Sequence, residues 1–164
     1  MSSQSISLLE IDANLYQEAV QLVHQLRQQF KQVGVSKSQL GGLIQAADWA
    51  QEPEDIGKYI RHKKELAIRR SQDEEARTGH QRAAQGQSER SSPEAGAAEF
   101  WTQVEARLQK MRQEGKELAE ISREGNVAGF GPAGSSAGEV QLWLYRRYLQ
   151  HLVAEYLATT SSGR

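Results

Sequence analysis

Apolar residues in this chain recur at intervals of three and four and never alternate. From Asn14 to Val33, Leu15, Ala19, Leu22, Leu26, Phe30 and Val33 fall on one face of a helix wound at 3.6 residues per turn. No stretch has the period of two that a half-buried strand requires, and no internal repeat is evident. The chain is therefore restricted to helices packed on helices, and 164 residues suffice for one core. The expected fold is all-α: a single helical domain over 1–164 built as a five-helix bundle.

Local signals place the helices. Gly34 is expected to supply a left-handed stop to the first. Ser36 and Gln39 stand at capping-box spacing before Leu40, Leu43, Ile44, Ala47 and Trp49, which predicts a second helix ending towards Ala50. Gly41 and Gly42 weaken it by about 1 kcal/mol each relative to alanine. Pro53 suits the first turn of a third helix, and Glu54 and Asp55 favour the positive end of its macrodipole. A fourth should run from Ala97 to about Arg123, with Phe100, Trp101, Val104, Leu108, Met111, Leu118 and Ile121 as its stripe. In the last, Glu139 to Leu157, Leu142, Tyr145, Leu149, Leu152, Val153 and Tyr156 form one face, but Val140, Trp143 and Leu144 lie off it. A helix that is apolar on more than one side is either central or touches a partner, and Trp143 and Leu144 are the candidate partner contacts.

Two segments break the pattern. Residues 71–96 hold no Leu, Ile, Val, Met or aromatic side chain in twenty-six positions, so they have little to bury and are expected to form a flexible polar insertion. Residues 125–138 carry five glycines in fourteen positions and read as a loop, and 159–164 read as a tail.

Charge is distributed unevenly. The whole chain carries a formal −1, yet residues 1–56 hold seven acids against three cations while residues 57–70 hold six cations against the single Glu65. Lys58, Arg61, His62 and Arg69 share one strip of the third helix, with Tyr59, Ile60, Leu66 and Ala67 on the far side beside Lys63 and Arg70; Lys64 completes the cluster. Two readings are open: a solvated helix face, or a surface that attracts phosphates on a nearly neutral protein. Arg146 and Arg147 make a smaller basic point on the last helix, where Arg147 and His151 share a side opposite the core stripe and extend the patch if the third and fifth helices are neighbours.

No catalytic constellation stands out. The Gly-rich segment lacks the Lys-Ser/Thr of a phosphate-binding loop and no strand precedes it. His24, His62, His80 and His151 have no metal-ligand spacing among them. Ser38, Ser135 and Ser136 have no nucleophile-elbow context, and the carboxylates lie at helix entries or in the polar segment. The absence of cysteine excludes disulfides, thiolate chemistry and Cys-ligated zinc. The expectation is a protein that is not an enzyme, with no cofactor and no metal. The N-terminus lacks a signal-peptide pattern and no run of about 18 apolar residues occurs, which predicts no membrane partner and a cytoplasmic location.

The order of VSKSQLGGLI, IGKYIRHKKE, a variable gap, FWTQV and VQLWLYRRYLQHLVAEYL resembles the helical small subunit of type III CRISPR–Cas effector complexes, nearest to type III-D-like variants. The resemblance covers about two thirds of the chain. It implies a non-catalytic bundle that supports RNA-guided antiviral defence within a ribonucleoprotein. Such a bundle stacks as a filament with copies of itself along the crRNA–target RNA duplex, beside the large and backbone subunits. RNA backbone contacts would fall to Lys58, Arg61, His62, Lys63, Lys64, Arg69, Arg70, Arg146 and Arg147. The family often has an Arg where this chain has Gly41, so the third helix would carry more of the contact here. The alternative class is a helical adaptor that binds protein only.

Overall fold

The computed structural model of the protein describes residues 6–85, 92–123, 127–128 and 137–162. Among these lie five helices: α1 (Leu8–Gln29), α2 (Lys37–Trp49), α3 (Pro53–Gln85), α4 (Pro93–Arg123) and α5 (Ala137–Ser162). The architecture is an all-α bundle. Its one extended pairing among the described residues is a two-residue parallel ladder, β1 (Ile6–Ser7) on β2 (Val127–Ala128), too short to leave any alternation in the sequence.

Side-chain pairs fix the directions of the helices. Asp12 meets Arg147, His24 lies 4.0 Å from Glu155 and Arg27 reaches Thr159, so α1 and α5 run parallel. Gln141 donates to the Arg112 carbonyl and the Phe100 ring packs edge-on to Tyr156, so α4 runs against α5. Arg146 binds the end of α2 while Tyr156 binds the residues before its start, so α2 is also antiparallel to α5. One end of the bundle thus gathers the starts of α1, α3 and α5 with the end of α2. The α1–α2 turn and the start of α4 lie at the other end.

α5 is the central helix, which explains its apolar breadth. Leu149 and Leu152, Val140 and Leu144, and Tyr145 and Tyr148 are all buried, because α1, α2 and α4 cover different sides of it. The stripes of α1 (Leu15, Ala19, Leu22, Leu26) and α4 (Phe100, Trp101, Val104, Leu108, Met111) complete the core. Burial also keeps the phenols of Tyr145, Tyr148 and Tyr156 neutral, pushing each above the ordinary tyrosine range.

The polar insertion is shorter than its composition suggests. α3 continues through Ser71 to Gln85, and α4 begins at Pro93. Gln, Glu, Arg and Ala are good helix formers, and extending a helix already nucleated by packed residues costs far less than starting one. Ser92 and Pro93 open α4 with the chemistry of a helix start: the Ser92 hydroxyl accepts from the Ala95 N–H, and Pro93 occupies the first turn. Of the insertion, 86–91 lie outside the described residues. So do 125–126 and 129–136 of the Gly-rich segment and 163–164 of the tail, which is otherwise helical to Ser162. Gly34 does not act through a left-handed backbone. It is there because a Cβ would lie 2.5 Å from the Pro93 carbonyl oxygen.

Candidate nucleic-acid interface

α3 starts where Pro53 places it, and its first turn is fastened from within. The Asp55 carboxylate accepts from the N–H groups of Gln51 and Glu52, both at 3.1 Å, ordering the α2–α3 connection. Ile56, Ile60 and Ala67 are then buried against the bundle, which turns the opposite face outward. Lys58, Arg61, His62 and Arg69 are exposed there, and Arg70, also exposed, lies on the Lys63 side of the helix beside Leu66 and Ala67. Arg61 reaches Glu54 at 3.0 Å, with both side chains half exposed, so solvent screens the pair and leaves it weak. Lys58, His62, Arg69 and Arg70 form no ion pair among the described residues. The strip therefore presents positive charge to solvent with little internal neutralisation.

The remaining cations of the cluster have other surroundings. Lys63 lies with its ammonium 5.5 Å from the centre of the Tyr59 ring, and Tyr59 itself packs edge-on to Trp101. Lys64 points inward, donating to Glu105 on α4 at 2.7 Å, and belongs to the α3–α4 contact instead of the outer strip.

The basic point on α5 does not extend the patch. Arg146 donates to the carbonyls of Ala47, Asp48 and Ala50, closing the C-terminus of α2. Arg147 forms a two-pronged pair with Asp12 at 2.9 and 2.8 Å, and His151 approaches the same carboxylate at 2.8 Å. The Arg147 and His151 contacts hold Asp12 down to about 2. Both arginines therefore face α1 and α2, a geometry set by tertiary packing that one helix's sequence does not reveal.

The partner-contact pair also separates. Leu144 is 1% exposed and sits in the core, whereas Trp143 is half buried at the core's edge. The aromatic that does stand out is Trp49, 78% exposed at the end of α2. A helical wheel carries the signal: at about 100° per residue, Leu40, Leu43 and Ala47 cluster, and Trp49 lies about 180° from Leu40. Asp48, Glu52, Glu54 and Asp55 are near it in sequence, and the Arg146 guanidinium caps the same helix end.

Among the described residues no group of three or more His, Asp or Glu stands close enough to hold a metal ion, and no helix is long and apolar enough to cross a membrane. No protein-family model, curated protein or solved structure matches this chain.

Proposed function

We propose that the protein is a non-catalytic small subunit of a type III CRISPR ribonucleoprotein of III-D-like type, lying along the crRNA–target duplex in RNA-guided antiviral defence. The observation that carries this reading is the outward strip of Lys58, Arg61, His62 and Arg69 on α3, whose other face is core. Long cationic side chains on one rigid helix suit phosphates along a strand and offer no fixed geometry for reading bases. The order of the resembling segments supports it too: VSKSQLGGLI runs through the α1–α2 turn into α2, IGKYIRHKKE lies on α3, FWTQV on α4 and VQLWLYRRYLQ on α5. In this role the chain contacts guide and target RNA through their backbones, associates with the large and backbone subunits and with copies of itself, and works in the cytoplasm.

A protein-only adaptor is the second reading, favoured by the exposed Trp49 at the end of α2, since exposed aromatics are common anchors at interfaces. Purification of the tagged chain from cells carrying a repeat array and the effector subunits separates the two. Repeat-derived RNA in the purified assembly is the expected result. An RNA-free assembly whose integrity depends on Trp49 supports the adaptor instead.

A further inference from the structure

The α1–α2 turn is pinned to the start of α4 through backbone. The Gly34 N–H donates to the Pro93 carbonyl at 2.9 Å, and a Cβ on Gly96 would come within 2.5 Å of the Gln32 carbonyl oxygen. From the other side the Tyr156 hydroxyl reaches the Val33 and Val35 carbonyls at 2.8 and 3.2 Å. The turn is a fixed platform, and cations from three helices stand around it.

On one side lies an open cleft of about 780 Å³ edged by Arg27, Lys31 and Lys37, with no acidic side chain in its lining. On the other, a depression of about 100 Å³ is edged by Lys63 and Arg70, with Glu94 as its one acid. Gly34 borders both. Arg27 is a fixed charge, its guanidinium 4.5 Å from the centre of the Tyr156 ring. Lys31 and Lys37 are exposed and form no ion pair among the described residues. Five cations against one carboxylate form a local positive field. They flank a ridge instead of converging on one point, which suits an extended polyanion better than a small anion. Arg70 edges this surface and directly follows Arg69 of the exposed strip, so the two surfaces adjoin along α3.

We propose that the α1–α2 turn is a second contact for a single nucleic-acid strand, in which Lys31 and Lys37 hold phosphates of the strand whose neighbouring phosphates lie on Arg70 and Arg69. This assignment rests on the reading of α3 as a backbone-binding helix. The test compares a labelled 20-nucleotide oligouridylate bound by the intact chain, by Lys31→Glu with Lys37→Glu, and by Lys58→Glu with Arg69→Glu, across a salt series. The turn variant is expected to bind about tenfold more weakly at low salt, with the logarithmic salt slope shallower by about 1.4 for two lost phosphates. Its helicity should not change, since both residues are exposed and an acid at position 37 complements the α2 macrodipole. A turn variant that binds like the intact chain while the α3 variant is weakened overturns the turn assignment and leaves the α3 reading standing. Weakening confined to the turn variant removes the α3 reading and overturns the shared path of the strand over Arg69 and Arg70. An intact chain that does not hold the oligouridylate removes both. Displacement by polyglutamate at matched charge as effective as by RNA overturns the nucleic-acid assignment in favour of an acidic peptide.

Discussion

The Arg146 guanidinium donates to the Ala50 carbonyl at 2.8 Å, closing α2 from a residue 96 positions further along the chain. The carbonyls of Ala47 and Asp48 share the same guanidinium. The last carbonyls of a helix have no intrahelical partner, and a planar fork of donors satisfies several at once. Arg146→Ala is expected to destabilise the fold by about 1–3 kcal/mol. For a chain of this size that lowers the melting temperature by roughly 2–4 °C per kcal/mol. Arg146→Lys should recover only part of the loss, and oligouridylate affinity should hold in both variants. A melting temperature unchanged by the alanine variant contradicts the capping role.

Asp12 gives the stability a defined acid dependence. Its carboxyl falls from 3.8 to about 2 in the folded chain, chiefly through the hydrogen bonds from Arg147. A depressed carboxyl contributes stability that is complete above the unfolded value near 4 and fades as pH falls towards 2. Because Arg147 is partly exposed, the contribution is screened to about 1–2 kcal/mol. Urea midpoints for the intact chain and Asp12→Asn should therefore differ at pH 6 and converge near pH 2. A gap of constant size across that range contradicts the assignment.

Two glycines predict opposite effects. Gly41 lies on the exposed side of α2 with open space where a Cβ would stand, so Gly41→Ala should stabilise by about 0.5–1 kcal/mol. The same space leaves room for the arginine that the resembling family often carries there. Gly34→Ala would press a methyl against the Pro93 backbone and should cost stability, because backbone cannot swing aside as a side chain can. Thermal melts of the two variants check the contrast; equal shifts in the same direction contradict it.

Leu144, which periodicity places off the stripe, is core, and Trp49 is the exposed aromatic. Leu144→Ser should destabilise by about 3–5 kcal/mol, through a cavity and a buried hydroxyl, whether or not partners are present. Trp49→Ala should leave the melting temperature within a few degrees and weaken only association, read by sedimentation with and without partner subunits. A Trp49 variant that loses monomer stability contradicts its exposure.

Much of this fold was legible in the sequence where local chemistry decides. The Ser36–Gln39 capping box forms with both of its bonds, α3 begins at Pro53, and the α1 and α4 stripes are core. What escaped depends on neighbours. The polar run after Arg70 has nothing to bury, yet helix propensity and an existing helix carry it to Gln85. α5 looked two-faced because helices cover it on several sides, which hid Leu144 among candidate contacts. Arg146, Arg147 and Lys64 read as free cations until their partners on α2, α1 and α4 are in place. Lys31 and Lys37 are isolated in sequence and meet only because the turn brings two helix ends together.

The central claim is that the outer face of α3 holds a nucleic-acid backbone without reading its bases. Oligouridylate and oligocytidylate binding, measured by anisotropy against salt, tests it most directly. Three or four neutralised phosphates predict equal affinity for both oligomers and a logarithmic salt slope near −2 to −3, at about −0.7 per phosphate. Lys58→Glu with His62→Glu should weaken both oligomers alike while the helical circular dichroism stays unchanged. Affinity and slope unaltered in that variant, or binding that does not respond to salt, would contradict the account.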